Sequence, residues 1–284
     1  MRRASAIEKE SRQIETVQDL TGVFESIAST QVAKVRSKVT LSKDFFQLLW
    51  KRYTSIRFDP NSRITNREAS EDERKVFVVI SAEAGLSGDI DQRLIEKVME
   101  DYDKNNTDII VLGTHGAIQL KQHNIAFSHY FQVPETDHYI DVTPVIAVIM
   151  PYSTIIVYYE EYVSLGVQEI KTIDLISSMR NMSESADEDT MSTDDTVFEP
   201  SIDVIADEME ITMMTLALSQ TILESSLAQS ASRFNAMAVA KKRALTLLFD
   251  YGLEFHRAKR SESDRRMREV MISLKKKRAH ARAE

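Results

Sequence analysis

Between Pro200 and Glu284 the chain contains no proline and one glycine, Gly252, while apolar residues recur at helical spacing almost throughout. Proline removes a backbone donor and clashes with the preceding turn, and glycine weakens a helix interior, so a run this free of both predicts one continuous helix. At about 1.5 Å per residue such a helix measures on the order of 110–120 Å. An element of that length is a shaft, a lever or half of a coiled coil.

The predicted apolar stripe runs through Ile205, Met209, Thr212, Leu216, Leu223, Leu227, Phe234, Met237, Leu245, Leu248 and Phe255, steps that hold one face of a 3.6-residue turn. Small or polar seam positions (Thr212, Ser230, Ala231, Ala244) demand a close partner and fit an antiparallel or irregular coil better than a parallel zipper. The other end of the chain supplies that partner. Ser5 to Arg57 also lack proline and contain only Gly22. Their stripe is Ile7, Ile14, Val17, Leu20, Phe24, Ile27, Val32 or Val35, Val39, Phe46, Leu49 and Tyr53, and Pro60 in the run Asp59-Pro60-Asn61-Ser62 stops the helix. Two such helices are expected to pair within one chain.

The centre changes period. Lys75–Ser81 is an apolar strand, Asp89–Tyr102 has helical spacing, and Asp108–Leu112 is a second strand, which together make a β-α-β unit. Further strands are expected at Ile125–Tyr130, Val145–Met150 and Ile155–Tyr159, with a short helix near Thr114–His123. The expected organisation is a helix over 1–58, an α/β domain over 59–180, an acidic mobile loop over 181–200 and a helix over 201–284. That loop, rich in Ser, Thr, Asp and Glu, has nothing with which to build a core.

No cysteine is present, which excludes disulfides and thiolate metal sites. The first ten residues lack an apolar core and are not expected to be a secretory signal. No segment reaches the roughly 20 apolar residues that span a bilayer, so direct membrane insertion is not expected. The net charge is −8, yet the C-terminus is basic, with Arg257, Lys259, Arg260, Arg265, Arg266, Arg268 and Lys275–Arg278. A basic helix end suits nucleic acid, anionic lipid or an acidic protein surface. It is also what a helix C-terminus favours for its own dipole.

The glycines after the strands (Gly85 and Gly88, Gly113 and Gly116) match neither the P-loop nor the dinucleotide fingerprint, so they read as tight turns rather than a phosphate cradle. His115, His123, His129 and His138, with Asp137 and Asp141, lack metal-ligand spacing. No metal, cofactor or catalytic constellation is expected. Residue by residue, the chain is a long helical hairpin carrying an α/β domain, mechanical or scaffolding in role.

The run Ser226-Leu227-Ala228-Gln229-Ser230-Ala231-Ser232-Arg233-Phe234-Asn235-Ala236-Met237 resembles the C-terminal signature of the gamma subunit of rotary F-type ATP synthases. Gln229 stands for a usual Glu, and Lys242-Arg243-Ala244 for Asp-Asn-Ala. Phe198-Glu199-Pro200-Ser201 matches the family's entry into the C-terminal helix, and Gly85-Leu86-Ser87-Gly88 resembles its Gly-Leu-Cys-Gly turn. Gln18-Asp19-Leu20-Thr21 looks like Gln-Lys-Ile-Thr. Phe24-Glu25-Ser26 replaces Met-Lys-Met, exchanging a cation for Glu25. At the tip, Ser263–Met267 departs from the family pattern, while Glu269-Val270 keeps it.

The resemblance implies a divergent bacterial member: an antiparallel coiled coil of the terminal helices plus a central, Rossmann-like α/β domain. It implies a non-catalytic central stalk coupling proton-driven rotation of a membrane c-ring to ATP synthesis or hydrolysis in a head of alpha and beta subunits. An epsilon subunit is a further partner, and nucleic acid is not. The implied location is peripheral, on the cytoplasmic face of the cell membrane. Subunit contacts fall by resemblance on Gln18, Thr21, Gln229, Arg233, Met237, Arg257, Arg260, Arg266 and Glu269. Absence of cysteine argues against the thiol regulation of chloroplast members. Three alternatives stand beside this reading: an F-type-like ATPase driving another output, a non-rotary coiled-coil scaffold, and a nucleic-acid binder using the basic end.

Overall fold

The computed structural model describes residues 3–55, 75–104, 106–133, 140–175 and 202–280. Helix α1 is Ala4–Ser55 and the C-terminal helix, α5, is Ile202–His280. Between them lie β1 (Lys75–Ile80), α2 (Ile90–Asp101), β2 (Thr107–Leu112), α3 (Thr114–Gln122), β3 (His129–Phe131), α4 (Thr143–Ile149), β4 (Thr154–Ser164) and β5 (Val167–Asp174). The expected stop at Pro60 and the acidic loop lie outside the described residues.

The chain divides into two compact units. One comprises Met1–Ser26 with Ala236–Glu284. Here the two ends run antiparallel. The Ala4 amide donates to Glu262 Oε1 at 3.1 Å, while Lys241 Nζ meets Glu25 Oε2 at 2.8 Å. Ala4, Ile7 and Ala258 are buried against Tyr251 and Phe255, the two alanines letting the helices approach closely.

The second unit, Ile27–Asn235, is built on a five-stranded sheet of order β3-β2-β1-β4-β5. β1 pairs in parallel with β2 (Lys75↔Thr107 to Ile80↔Leu112) and with β4 (Lys75↔Thr154 to Val79↔Tyr158). β3 is parallel to β2, and β5 antiparallel to β4. Both faces are covered, which is why β1 and β2 are unbroken apolar runs rather than alternating ones. Phe77, Val79, Ile109, Val111 and Tyr158 pack on Leu94, Ile95 and Val98 of α2 and on Leu120 of α3. The opposite face, with Val76, Val78, Ile80, Ile110, Leu112 and Val157, packs on α4, on Val35 of α1, and on Met213, Leu218 and Ile222 of α5.

Three expectations need correction. Val145–Met150 is not a strand: Thr143-Pro144 opens a helix there, because proline's fixed φ and missing donor suit a first helical turn, and a short apolar run fits either state. The strand expected at Ile125–Tyr130 is reduced to His129–Phe131, and β5 was not foreseen. The seam positions are also offset. Val17, Leu20 and Ile27 are more than half exposed, and Leu245 is half exposed, whereas Thr21, Ala28 and Ala244 are buried. In the unit of the two chain ends, Ala4, Thr21, Ala244 and Ala258 are buried beside Ile7 and Met237, while Val17, Leu20 and Leu245 face outward. In the sheet unit the buried face of α5 is broad, taking in Met213, Met214, Leu218 and Ile222 while Thr212 is exposed.

Candidate functional site: the joint at the carboxyl edge of the sheet

The glycine turns and the signature run of α5 meet where β1, β2 and β4 end. After β1, the buried Asp91 organises the loop from the first turn of α2. The Ala82 amide donates to its Oδ1 at 2.8 Å, the Ser87 hydroxyl donates to its Oδ2 at 2.7 Å, and His115 Nδ1 lies 3.5 Å from Oδ2. After β2, Gly113 adopts φ 102° and ψ 140°, a conformation open almost only to glycine. The Ser81 hydroxyl faces the Leu112 carbonyl at 2.9 Å and accepts from the Gly116 amide at 2.9 Å.

In the turn after β2, three amides that could have cradled a phosphate already have protein acceptors. Gly113 N–H donates to the Phe131 carbonyl, His115 N–H to the Ala82 carbonyl, and Thr114 N–H to Glu83 Oε2, all at 3.0 Å. Among the described residues there is no cluster of three or more potential metal ligands, and no helix is long and apolar enough to cross a membrane. His115 faces Asp91 and His129 stacks on Phe131. His138 and Asp137 lie outside the described residues.

Helix α5 locks onto this edge through side chains. Arg233 Nη2 donates to the Ala84 carbonyl at 2.9 Å and Nε to the Gly85 carbonyl at 3.2 Å. The Ser232 hydroxyl donates to the Ser87 carbonyl, and Asn235 Nδ2 to the Leu165 carbonyl in the β4–β5 turn. Held between these bonds, Leu86 sits at φ 69° with its side chain half exposed. Deeper in, Ser225 Oγ donates to Glu160 Oε2 at 3.0 Å and accepts from Gln229 Nε2 at 3.1 Å. Glu160 is fully buried, and its Oε1 has no hydrogen-bond partner among the described residues.

Burial, reinforced by the charge of Asp91, holds the Glu160 carboxyl well above the ordinary carboxylate range, with Gln229, Ser225 and Arg233 pulling the other way. Burial lowers the Arg233 guanidinium, opposed by Asp91 and Glu160, yet it remains a cation at any physiological pH. The arrangement is an enclosed polar contact that ties a helix to two loops and to strand β4, with one carboxyl oxygen of Glu160 left over.

Of the residues expected at subunit contacts, Gln229 and Arg233 come together here, engaged within the chain. Thr21 is buried in the α1 seam, and its hydroxyl donates to the Gln18 carbonyl at 2.8 Å. Met237 is buried on α5. Arg257, Arg260, Arg266 and Glu269 are exposed, the last paired with Arg265 at 3.0 Å. Sequence reasoning missed Glu160, Asp91, Ser225 and Ser232. One signal was present: Glu160-Glu161 follows a strand core, and alternation forces one of two adjacent acids inward.

The family model for ATP synthase matches residues 3–272. The chain is 23% identical over 277 residues to the ATP synthase gamma chain of Clostridium novyi, covering 94% of this chain and 95% of that one. It is 22% identical over 279 residues to the gamma chain of Malacoplasma penetrans, covering 95% and 97%. The fold superposes at a TM-score of 0.65 and 13% identity on a chain of the Euglena gracilis mitochondrial ATP synthase in rotational state 3, covering 95% and 94%. A chain of the central stalk and c-ring structure of the Tetrahymena thermophila mitochondrial enzyme gives 0.57 at 14%, covering 78% and 99%. With both helical ends and the sheet included in one alignment, the chain belongs to the ATP synthase family and aligns end to end with its gamma chains.

Proposed function

We propose that this chain is the central rotor stalk of an F-type ATP synthase, turning between a ring in the membrane and a catalytic head. The observation that carries this reading is the antiparallel pairing of the two chain ends, fixed at Ala4–Glu262 and Glu25–Lys241. A lone helix in water bends and frays, whereas a paired one resists torsion. The stalk itself is non-catalytic, and the nucleotides belong to the alpha and beta subunits. Coupling needs a shaft that contacts the beta subunits unequally, because only differential contact shifts their states.

The exposed cations Arg257, Arg260 and Arg266 suit acidic loops of the beta subunits, and the exposed apolar stripe Val17, Leu20 and Ile27 suits the inner wall of the head. The sheet domain suits the epsilon subunit and the polar loops of the c-ring, which makes the association with the membrane peripheral, on the cytoplasmic face. A bacterial host and a proton as coupling ion complete the reading. Co-expression with the alpha, beta and epsilon subunits from the same source tests it. The expected product is one stoichiometric complex with ATPase activity that the chain alone lacks. A soluble homodimer that excludes alpha and beta overturns the proposal.

A further inference from the structure

The buried face of α5 changes character along the sheet. Leu218 and Ile222 are fully buried and apolar, and the same face continues, at alternating steps of three and four, through Ser225, Gln229 and Ser232. The buried apolar face of α5 is broad, taking in Met213, Met214, Leu218 and Ile222, and hydrophobic burial is non-directional, so it does not by itself hold the helix to one rotational setting. Hydrogen bonds are directional and admit one register.

The sheet's partner at this transition is Glu160 on β4. Its Oε2 lies 3.0 Å from Ser225 Oγ, which also approaches the Ile80 carbonyl at 3.4 Å. Its other oxygen has no partner among the described residues. The neighbouring cation, Arg233, directs its donors at the Ala84 and Gly85 carbonyls. A leucine at 160 would fill the site without a stranded oxygen, so an acid here costs stability. What it supplies, beside the bonds of Ser232, Arg233 and Asn235 farther along α5, is a fixed angular position for the helix where it crosses β4.

We propose that Glu160 is a positioning residue that sets the rotational register of α5 on the sheet through Ser225 and Gln229, so that torque crosses the joint without slip. The torque clause rests on the rotor-stalk reading; the register clause does not.

The absence of cysteine allows spin labels at Thr212→Cys on α5 and Glu169→Cys on β5, both exposed, in the full-length chain. Parent and Glu160→Gln, which keeps a hydrogen-bonding side chain of the same length, are expected to give one narrow distance peak. Glu160→Leu is expected to add a second peak, displaced by the roughly 100° that one residue of register turns a helix, while melting no lower than the parent. That dissociation is what a merely structural role would not produce. Should Glu160→Leu fail to fold, Ser225→Ala removes the other end of the same bond and must give the second peak.

A single parental peak in Glu160→Leu, or in Ser225→Ala where the leucine variant is unfolded, overturns the proposal, as does broadening in Glu160→Gln equal to that in Glu160→Leu. In the complex with alpha and beta subunits, Glu160→Leu is expected to lose stall torque while ATP hydrolysis continues; undiminished torque overturns the torque clause. Failure of the parent chain to join alpha and beta sinks the stalk reading and leaves the register result standing.

Discussion

Replacing Gly113 by alanine tests how the carboxyl edge is built. A Cβ on Gly113 would lie 2.3 Å from the Ser81 carbonyl oxygen, 2.7 Å from the Ser81 Oγ and 2.8 Å from the carbonyl carbon, so the backbone clash remains even when the side chain is removed. That carbonyl is backbone beside a strand junction, where Ser81 N–H donates to the Leu112 carbonyl at 2.8 Å, so it cannot swing aside. Strain at φ 102° adds about 1–3 kcal/mol, and the clash about as much again, which makes a total near 4 kcal/mol. Gly116→Ala differs, because its Cβ would meet the Ser81 side chain, 2.5 Å from Oγ and 2.8 Å from Cβ. There about 2 kcal/mol of overpacking and about 1 kcal/mol for the Ser81 hydrogen bond are offset by about 1 kcal/mol of helix propensity.

Ser81→Gly therefore relieves most of the clash at 116 but at 113 removes only the Oγ contact, leaving the closer backbone one. Urea titration read by hydrogen exchange of β1 and β2 amides measures the sheet's own stability rather than that of the long helices. The expected double-mutant coupling is on the order of 1–2 kcal/mol for 81 with 116 and clearly smaller for 81 with 113. Gly113→Ala within about 0.5 kcal/mol of the parent, or equal rescue of both variants by Ser81→Gly, refutes the reasoning.

Because the Glu160 carboxyl is raised in the folded chain, with Asp91 and Arg233 facing it, its stabilisation is complete below its unfolded value near 4.5. It is lost as pH rises toward the folded value, at up to roughly 1 kcal/mol per pH unit; urea midpoints across that range should fall in the parent and flatten in Glu160→Gln. Glu25→Lys and Lys241→Glu should each destabilise the helix pair by up to about 1 kcal/mol, and the double swap should recover it in thermal melts. Ile222→Ala, emptying a fully buried site, should cost about 2–5 kcal/mol by urea titration, whereas Phe249→Ala, 68% exposed, should leave the chain's midpoint unchanged. Charge reversal at Arg257, Arg260 and Arg266 should leave the chain's melting point within about a degree and lower torque in the reconstituted complex.

The two terminal helices, the first β-α-β unit and the gamma-family signature were legible because long periodic runs and glycine after strands are local signals. Val145–Met150 was not, since six residues fit either period and only the preceding Thr-Pro tips the balance. The seam was misread where bulky residues were taken as buried. Burial of Thr21 and Ala244 rewards small side chains, and leaves Val17 and Leu20 facing outward. Gln229 and Arg233 were singled out from the signature, but their attachment to Ala84, Gly85 and Ser225 depends on pairs separated by up to 149 residues. No local pattern reports such pairs. For Glu160 the two adjacent acids hinted at an inward carboxyl, but its partner Ser225, 65 residues away, was not legible.

The central claim is that this chain turns. A single cysteine at Glu169 on the sheet domain of an otherwise cysteine-free chain can carry a bead, with the head of alpha and beta subunits fixed to glass. On adding ATP, the account predicts unidirectional, stepwise rotation of the bead that stops when ATP is withdrawn. A head that contains the chain and hydrolyses ATP while the bead stands still would contradict it.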